Sequence, residues 1–108
     1  MKRRRKTRYL GIVNAATMER IAWKVRFAPL KRIASEWKKC GGAPPQGTVN
    51  GFTDHAGRVI WLRDAPKKHT AAVGVHEACH AVLGGIATES CVQALEEAVC
   101  NILRITLE

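Results

Sequence analysis

The sequence has no C-x-x-C pair, no long apolar run and no internal repeat. Cys40, Cys79, Cys91 and Cys100 stand singly, which excludes the paired spacing of common zinc and dithiol motifs and leads us to expect reduced thiols in a cytoplasmic protein. Cys79 and Cys100 fall on apolar positions of expected helices, where a free cysteine is a small core residue. Without a stretch of about 20 apolar residues, neither a membrane span nor a signal peptide is expected. Acidic charge is nearly missing from the first 39 residues, which hold 13 basic and 2 acidic side chains against 5 and 7 in the remainder. That balance makes the basic N-terminal third a candidate for nucleic-acid contact through phosphates, although a solubilising surface has the same composition. The 108 residues fit one domain with a modest core.

Residues 1–13, opening "MKRRRKTR", are expected as a basic flexible arm and residues 14–108 as a single domain. "NAATMERIA" from Asn14 reads as a short capped helix. In "IAWKVRF" the period changes, with Ile21, Trp23, Val25 and Phe27 alternating as in a strand. "LKRIASEWKK" puts Leu30, Ile33, Ala34 and Trp37 at helical spacing, and "CGGAPPQG" ends that helix in a loop. "TVNGFTDHAGRVIWL" reads as a β-hairpin turning at "TDHAG", with His55 an exposed loop histidine. "RDAPKKHT" is a polar connector in which Thr70 is the expected N-cap of the next helix and His69 an exposed side chain.

That next helix carries "VGVHEACHAVLGG", Val73 to Gly85, and the glycine pair ends it. At about 100° per residue, His80 lies only about 40° round the helix from His76, one turn along, so both imidazoles can reach one ion. Glu77, beside them, is placed to take a proton from a metal-activated water. An accidental H-E-x-x-H is expected in about one sequence in a hundred of this composition. The surrounding helix is apolar, where titratable side chains need partners. Two histidines and a water leave a tetrahedral zinc shell one protein ligand short. Since no histidine follows, the third ligand should be Glu89, Glu96 or Glu97. Glu89 falls in the expected loop. On the last helix, expected from about Cys91 to the C-terminus, Val92, Leu95, Val99, Ile102, Leu103 and Leu107 define an apolar arc that includes Glu96 and excludes Glu97. A carboxylate on the inward arc is costly unless bound, which favours Glu96 as the ligand.

"VGVHEACHAVLGG" followed by "EEAVCNIL" resembles the gluzincin metallopeptidases, in particular the small ImmA/IrrE-like proteins of bacteria and phages. The resemblance covers roughly Gly51 to Glu108, with "GFTDHAGRVIWL" in the place of the strand preceding the motif helix. It implies an α+β, minimal zincin-like fold: a short sheet packed on the H-E-x-x-H helix and a following helix bearing a glutamate. It also implies Zn2+ held by His76, His80 and a glutamate of "EEAV", Glu77 as general base, and a peptide or protein substrate, in this family often a DNA-associated repressor. A thermolysin-like comparison favours Glu97 over Glu96. The strand "AWKVRF" is the expected edge for an extended peptide to join. A reading of a different class remains: a basic nucleic-acid-binding or interaction protein, using Lys24, Arg26, Lys31, Arg32, Lys38 and Lys39, with a structural or vestigial zinc site.

Overall fold

Seven elements follow one another in a computed structural model of the chain, which describes residues 6–42, 49–65, 67–84 and 88–107. They are β1 (Arg8–Val13), β2 (Arg20–Ala28), α1 (Leu30–Lys39), β3 (Gly51–Asp54), β4 (Val59–Arg63), α2 (Lys67–Leu83) and α3 (Glu89–Thr106). Residues 1–5 of the expected arm, 43–48 of the loop after α1, Gly85 and Glu108 lie outside the described residues. The strands form one mixed sheet in the order β1-β2-β4-β3, antiparallel at both outer pairs and parallel between β2 and β4. The class is α+β, and among the described residues no helix is long and apolar enough to cross a membrane.

Period-two alternation decides what each sheet face buries. Trp23 with Ile21, Val25 and Phe27 of β2, Ile60 and Leu62 of β4, and Ile12 of β1 make one core with Val73, Ala81 and Val82 of α2. Ala28, Phe52 and Trp61 face the other way and pack with Ile33 and Trp37 of α1. The unbroken run Ile60, Trp61, Leu62 is buried throughout because α2 covers one face of β4 and α1 the other. Helix α3 packs on α2.

Four local expectations are corrected. Residues 8–13 are not part of an arm: Tyr9–Val13 is β-prone, the six residues of β1 pair with β2, and Ile12 enters the core. "NAAT" is not a helix. The Asn14 side-chain oxygen accepts from the Ala16 and Thr17 N–H groups, and the Asn14 N–H bonds to the Glu19 carbonyl, so the cap turns the chain into β2 instead of starting a helix. Thr70 is not an N-cap; α2 begins at Lys67, and the buried Thr70 hydroxyl donates back to the Ala65 carbonyl at 2.9 Å. The "AWKVRF" strand is not an edge either, because β1 and β4 flank it; β3 has β4 as its only strand neighbour among the described residues.

Candidate metal centre

Helix α2 presents His76, Glu77 and His80 toward β3 and α3, where they line a cavity of about 520 Å3 together with Thr53, His55, Glu89 and Glu96. The imidazoles are largely covered, with side-chain exposures of 16% and 21%, and their ring centroids are 4.9 Å apart. This is the one-turn pairing the spacing requires.

Glu89 completes the group. It opens α3, whose N-cap Thr88 accepts from the Cys91 N–H through its side chain, so it lies in a helical first turn and not in the expected loop. Its two carboxylate oxygens lie 2.6 Å from His76 Nε2 and 2.9 Å from His80 Nε2. One ligand atom from each of His76, His80 and Glu89 falls within 4.8 Å of the others. That donor set, two imidazole nitrogens and one carboxylate oxygen converging on one point, fits a zinc ion and leaves a position free for water.

Glu96, the ligand favoured from helical phase, reaches the opposite side of the same ring. His76 Nδ1 is 2.9 Å from Glu96 Oε2, a bond that, with Nδ1 carrying the hydrogen, directs the Nε2 lone pair toward the shared point. Glu96 does face inward; it meets a nitrogen that the phase argument could not distinguish. Glu97 is exposed and lies outside the cavity. The signal for Glu89 was present in the sequence, because seven residues separate it from Glu96 and a helix brings positions seven apart back to one stripe.

Thr53 is the other partner that sequence reasoning missed. Its hydroxyl lies 2.9 Å from Glu77 Oε1 and 3.0 Å from the Glu77 carbonyl oxygen, and it holds one proton for two acceptors. An ionised Glu77 must share that proton with its own carbonyl. A protonated Glu77 donates to Thr53, which is then free to donate to the carbonyl. Burial pushes the Glu77 carboxyl above its ordinary range, against the opposing pull of the Thr53 hydrogen bond and of His76 and His80. For His76, burial acts downward, but the Glu96 hydrogen bond and the charges of Glu77, Glu89 and Glu96 outweigh it and raise the pKa. Carboxylates facing both ring nitrogens favour the protonated imidazole.

His55 is exposed, as expected for the turn, yet it lines the cavity and meets Trp23 edge-on at 6.0 Å. His69 is exposed. The four cysteines are free thiols, and Cys79, half-buried beside the site, has its pKa raised by burial and then by Glu96 and Cys100. Comparison with known families, curated proteins and solved structures finds no match for this chain.

Proposed function

We propose that this chain is a zinc-dependent hydrolase of metallopeptidase type, with His76, His80 and Glu89 as metal ligands, Glu96 as the carboxylate that orients His76, and Glu77 as general base. The observation that carries this reading is the convergence of both Nε2 atoms on one carboxylate, in a cavity that also holds a buried glutamate. We read the domain as a minimal zincin, an assignment supported by the packing of α2 between the sheet and α3 and by the resemblance of "VGVHEACHAVLGG" to the ImmA/IrrE-like gluzincins.

A bound divalent cation supplies the positive charge that acidifies water and polarises a carbonyl. The chain's own groups do the rest. Glu77, destabilised as an anion by burial, accepts a proton readily and returns it to a leaving amine. Thr53 holds the carboxylate in one orientation while that proton moves. Glu96 keeps the Nδ1 hydrogen of His76 and so the ring's tautomer. The substrate class we assign is an extended peptide, which includes a segment of a DNA-associated protein. The bond from the Arg63 N–H to the Asn50 carbonyl fixes the ladder phase of β3 and β4. By alternation, Gly51 and Thr53 then turn their main-chain groups to the outer edge of β3, beside the cavity.

The test is elemental analysis of protein purified without a metal-affinity tag. One zinc per chain is expected, and His80→Ala should lose it on dialysis against a mild chelator. Glu77→Gln should keep the zinc while cleavage of a peptide library falls by about a hundredfold or more, the usual loss on removing a general base. Zinc-free wild-type protein, or full zinc in the His80→Ala variant, would overturn the reading.

A further inference from the structure

The sheet has a second, largely open surface on the face turned away from α2. Alternation sends Tyr9 and Gly11 of β1 and Arg20, Ala22, Lys24 and Arg26 of β2 to that side. Helix α1 covers only the β4 and β3 end of it, packing over Trp61, Phe52 and Ala28. The β1 and β2 residues stay exposed, Tyr9 at 71%. That face of β1 and β2 carries three basic side chains, Arg20, Lys24 and Arg26, and no carboxylate, and the flanking α1 carries four against the single Glu36. Glu36 is already engaged by Arg32 and Lys39. The patch therefore has a net positive charge.

Two further features give this plane a shape. Tyr9 pairs in register with Lys24, which sets an exposed aromatic ring beside an ammonium on neighbouring strands. The Arg26 and Arg32 guanidinium carbons lie 5.3 Å and 5.5 Å from the centroid of the buried Trp61 ring, a contact that holds two cations at the border between α1 and the open sheet. Gly11 and Ala22, directly opposed, add no bulk of their own to the middle of the face, where the Arg20 stem lies over Gly11 and its guanidinium donates to the Gly11 carbonyl. An open sheet face with a stacking ring and bordering cations suits unpaired bases on a phosphate backbone, because the ring needs a base face that a duplex keeps stacked inside.

We infer that the β1–β2 face, through Tyr9, Lys24 and Arg26, binds single-stranded nucleic acid on the side of the molecule opposite the proposed metal centre. An acidic polypeptide would satisfy the charge but has no use for Tyr9 beside Lys24.

The experiment is fluorescence anisotropy of the full chain with a labelled single-stranded DNA 20-mer, over a salt series, with the same sequence as a duplex and with polyglutamate as competitors. Tyr9→Ala should weaken single-strand binding by about fivefold or more, the loss of one stacked base, while Tyr9→Phe stays within about twofold. Lys24→Ala should lower affinity and flatten the log–log salt dependence by about 0.7, one phosphate contact on a single strand. Replacing Lys2, Arg3, Arg4 and Arg5 with serine should leave both effects in place, and chelator should not alter them. Wild-type affinity in both Tyr9→Ala and Lys24→Ala would overturn the inference. So would displacement by polyglutamate or duplex at concentrations equal to the single strand. Tyr9 and Lys24 are exposed, so a folding failure, read by circular dichroism, is not expected to obscure the result.

Discussion

His76 is the residue on which the site turns, because each of its two nitrogens faces a different carboxylate. The two glutamates should therefore differ in effect. Glu89→Gln removes the proposed ligand and should abolish tight zinc binding, whereas Glu96→Gln removes the proposed orienting group and should cost about 10- to 100-fold in affinity. Competition against a chelating dye measures both, and a larger loss from Glu96→Gln would reverse the assignment. The same ring predicts a pH dependence. Its pKa is raised in the folded chain above the ordinary 6.5, so the folded state binds the proton more tightly than the unfolded one. The stability this gives the metal-free protein is fully present below pH 6.5 and is lost as the pH rises through the higher folded value. Glu77, raised from 4.5 by burial, adds a loss of the same sign beginning at lower pH. Urea midpoints of chelated protein should accordingly fall on going from mildly acidic to mildly alkaline buffer. Zinc binding should show the opposite trend, since the ion requires the deprotonated ring. A midpoint that rises over that range would contradict the ionic arrangement around His76.

Among the elements, α2 is held at a fixed distance from the sheet, and Gly51 sets that distance. A Cβ at Gly51 would lie 2.6 Å from the Trp61 carbonyl oxygen and 2.8 Å from Val73 Cγ1, so a side chain there must push β3 away from both β4 and α2. Gly51→Ala should destabilise the protein by about 1–3 kcal/mol, as overpacking does. Because Thr53 lies two residues on and grips Glu77, the same variant should also loosen the site. Thermal denaturation measures the first effect and zinc affinity the second; unchanged values for both would mean that the contact is slack. Helix α3 behaves differently from its sequence pattern. Of the apolar arc that singled out Glu96, only Val92 is fully buried, while Leu95, Val99, Ile102, Leu103 and Leu107 are 39–80% exposed. The helix meets α2 through a narrow stripe containing Val92 and both glutamates, and this explains why the arc identified the helix and Glu96 but not Glu89, one stripe position earlier.

At the scale of the whole molecule, a metal that binds the folded chain and not the unfolded one should stabilise the entire domain. At a free zinc concentration a thousandfold above Kd the gain is about 4 kcal/mol, several degrees or more in Tm for a chain of this length. Wild type should show it and His80→Ala should not; equal melting temperatures with and without zinc would place the metal outside the folding unit. Much of this molecule was readable in the one-dimensional pattern. Strand β2, helix α1, the hairpin of β3 and β4 and the pairing of His76 with His80 all follow from period-two or period-3.6 spacing over a few residues, and local sterics enforce those periods wherever the chain lies. Other features depend on what stands across a gap. Tyr9–Val13 became a strand because β2 offered it a ladder, and "AWKVRF" became internal because β1 and β4 took its two edges. Glu89 reached His80 because α3 packs on α2, and Thr53 reached Glu77 because Gly51 lets the helix approach β3. The sequence by itself determined which side chains share a face. Only the tertiary structure decided which nitrogen of His76 each carboxylate meets, because that choice depends on a helix separation and rotation fixed by packing between elements distant in the chain.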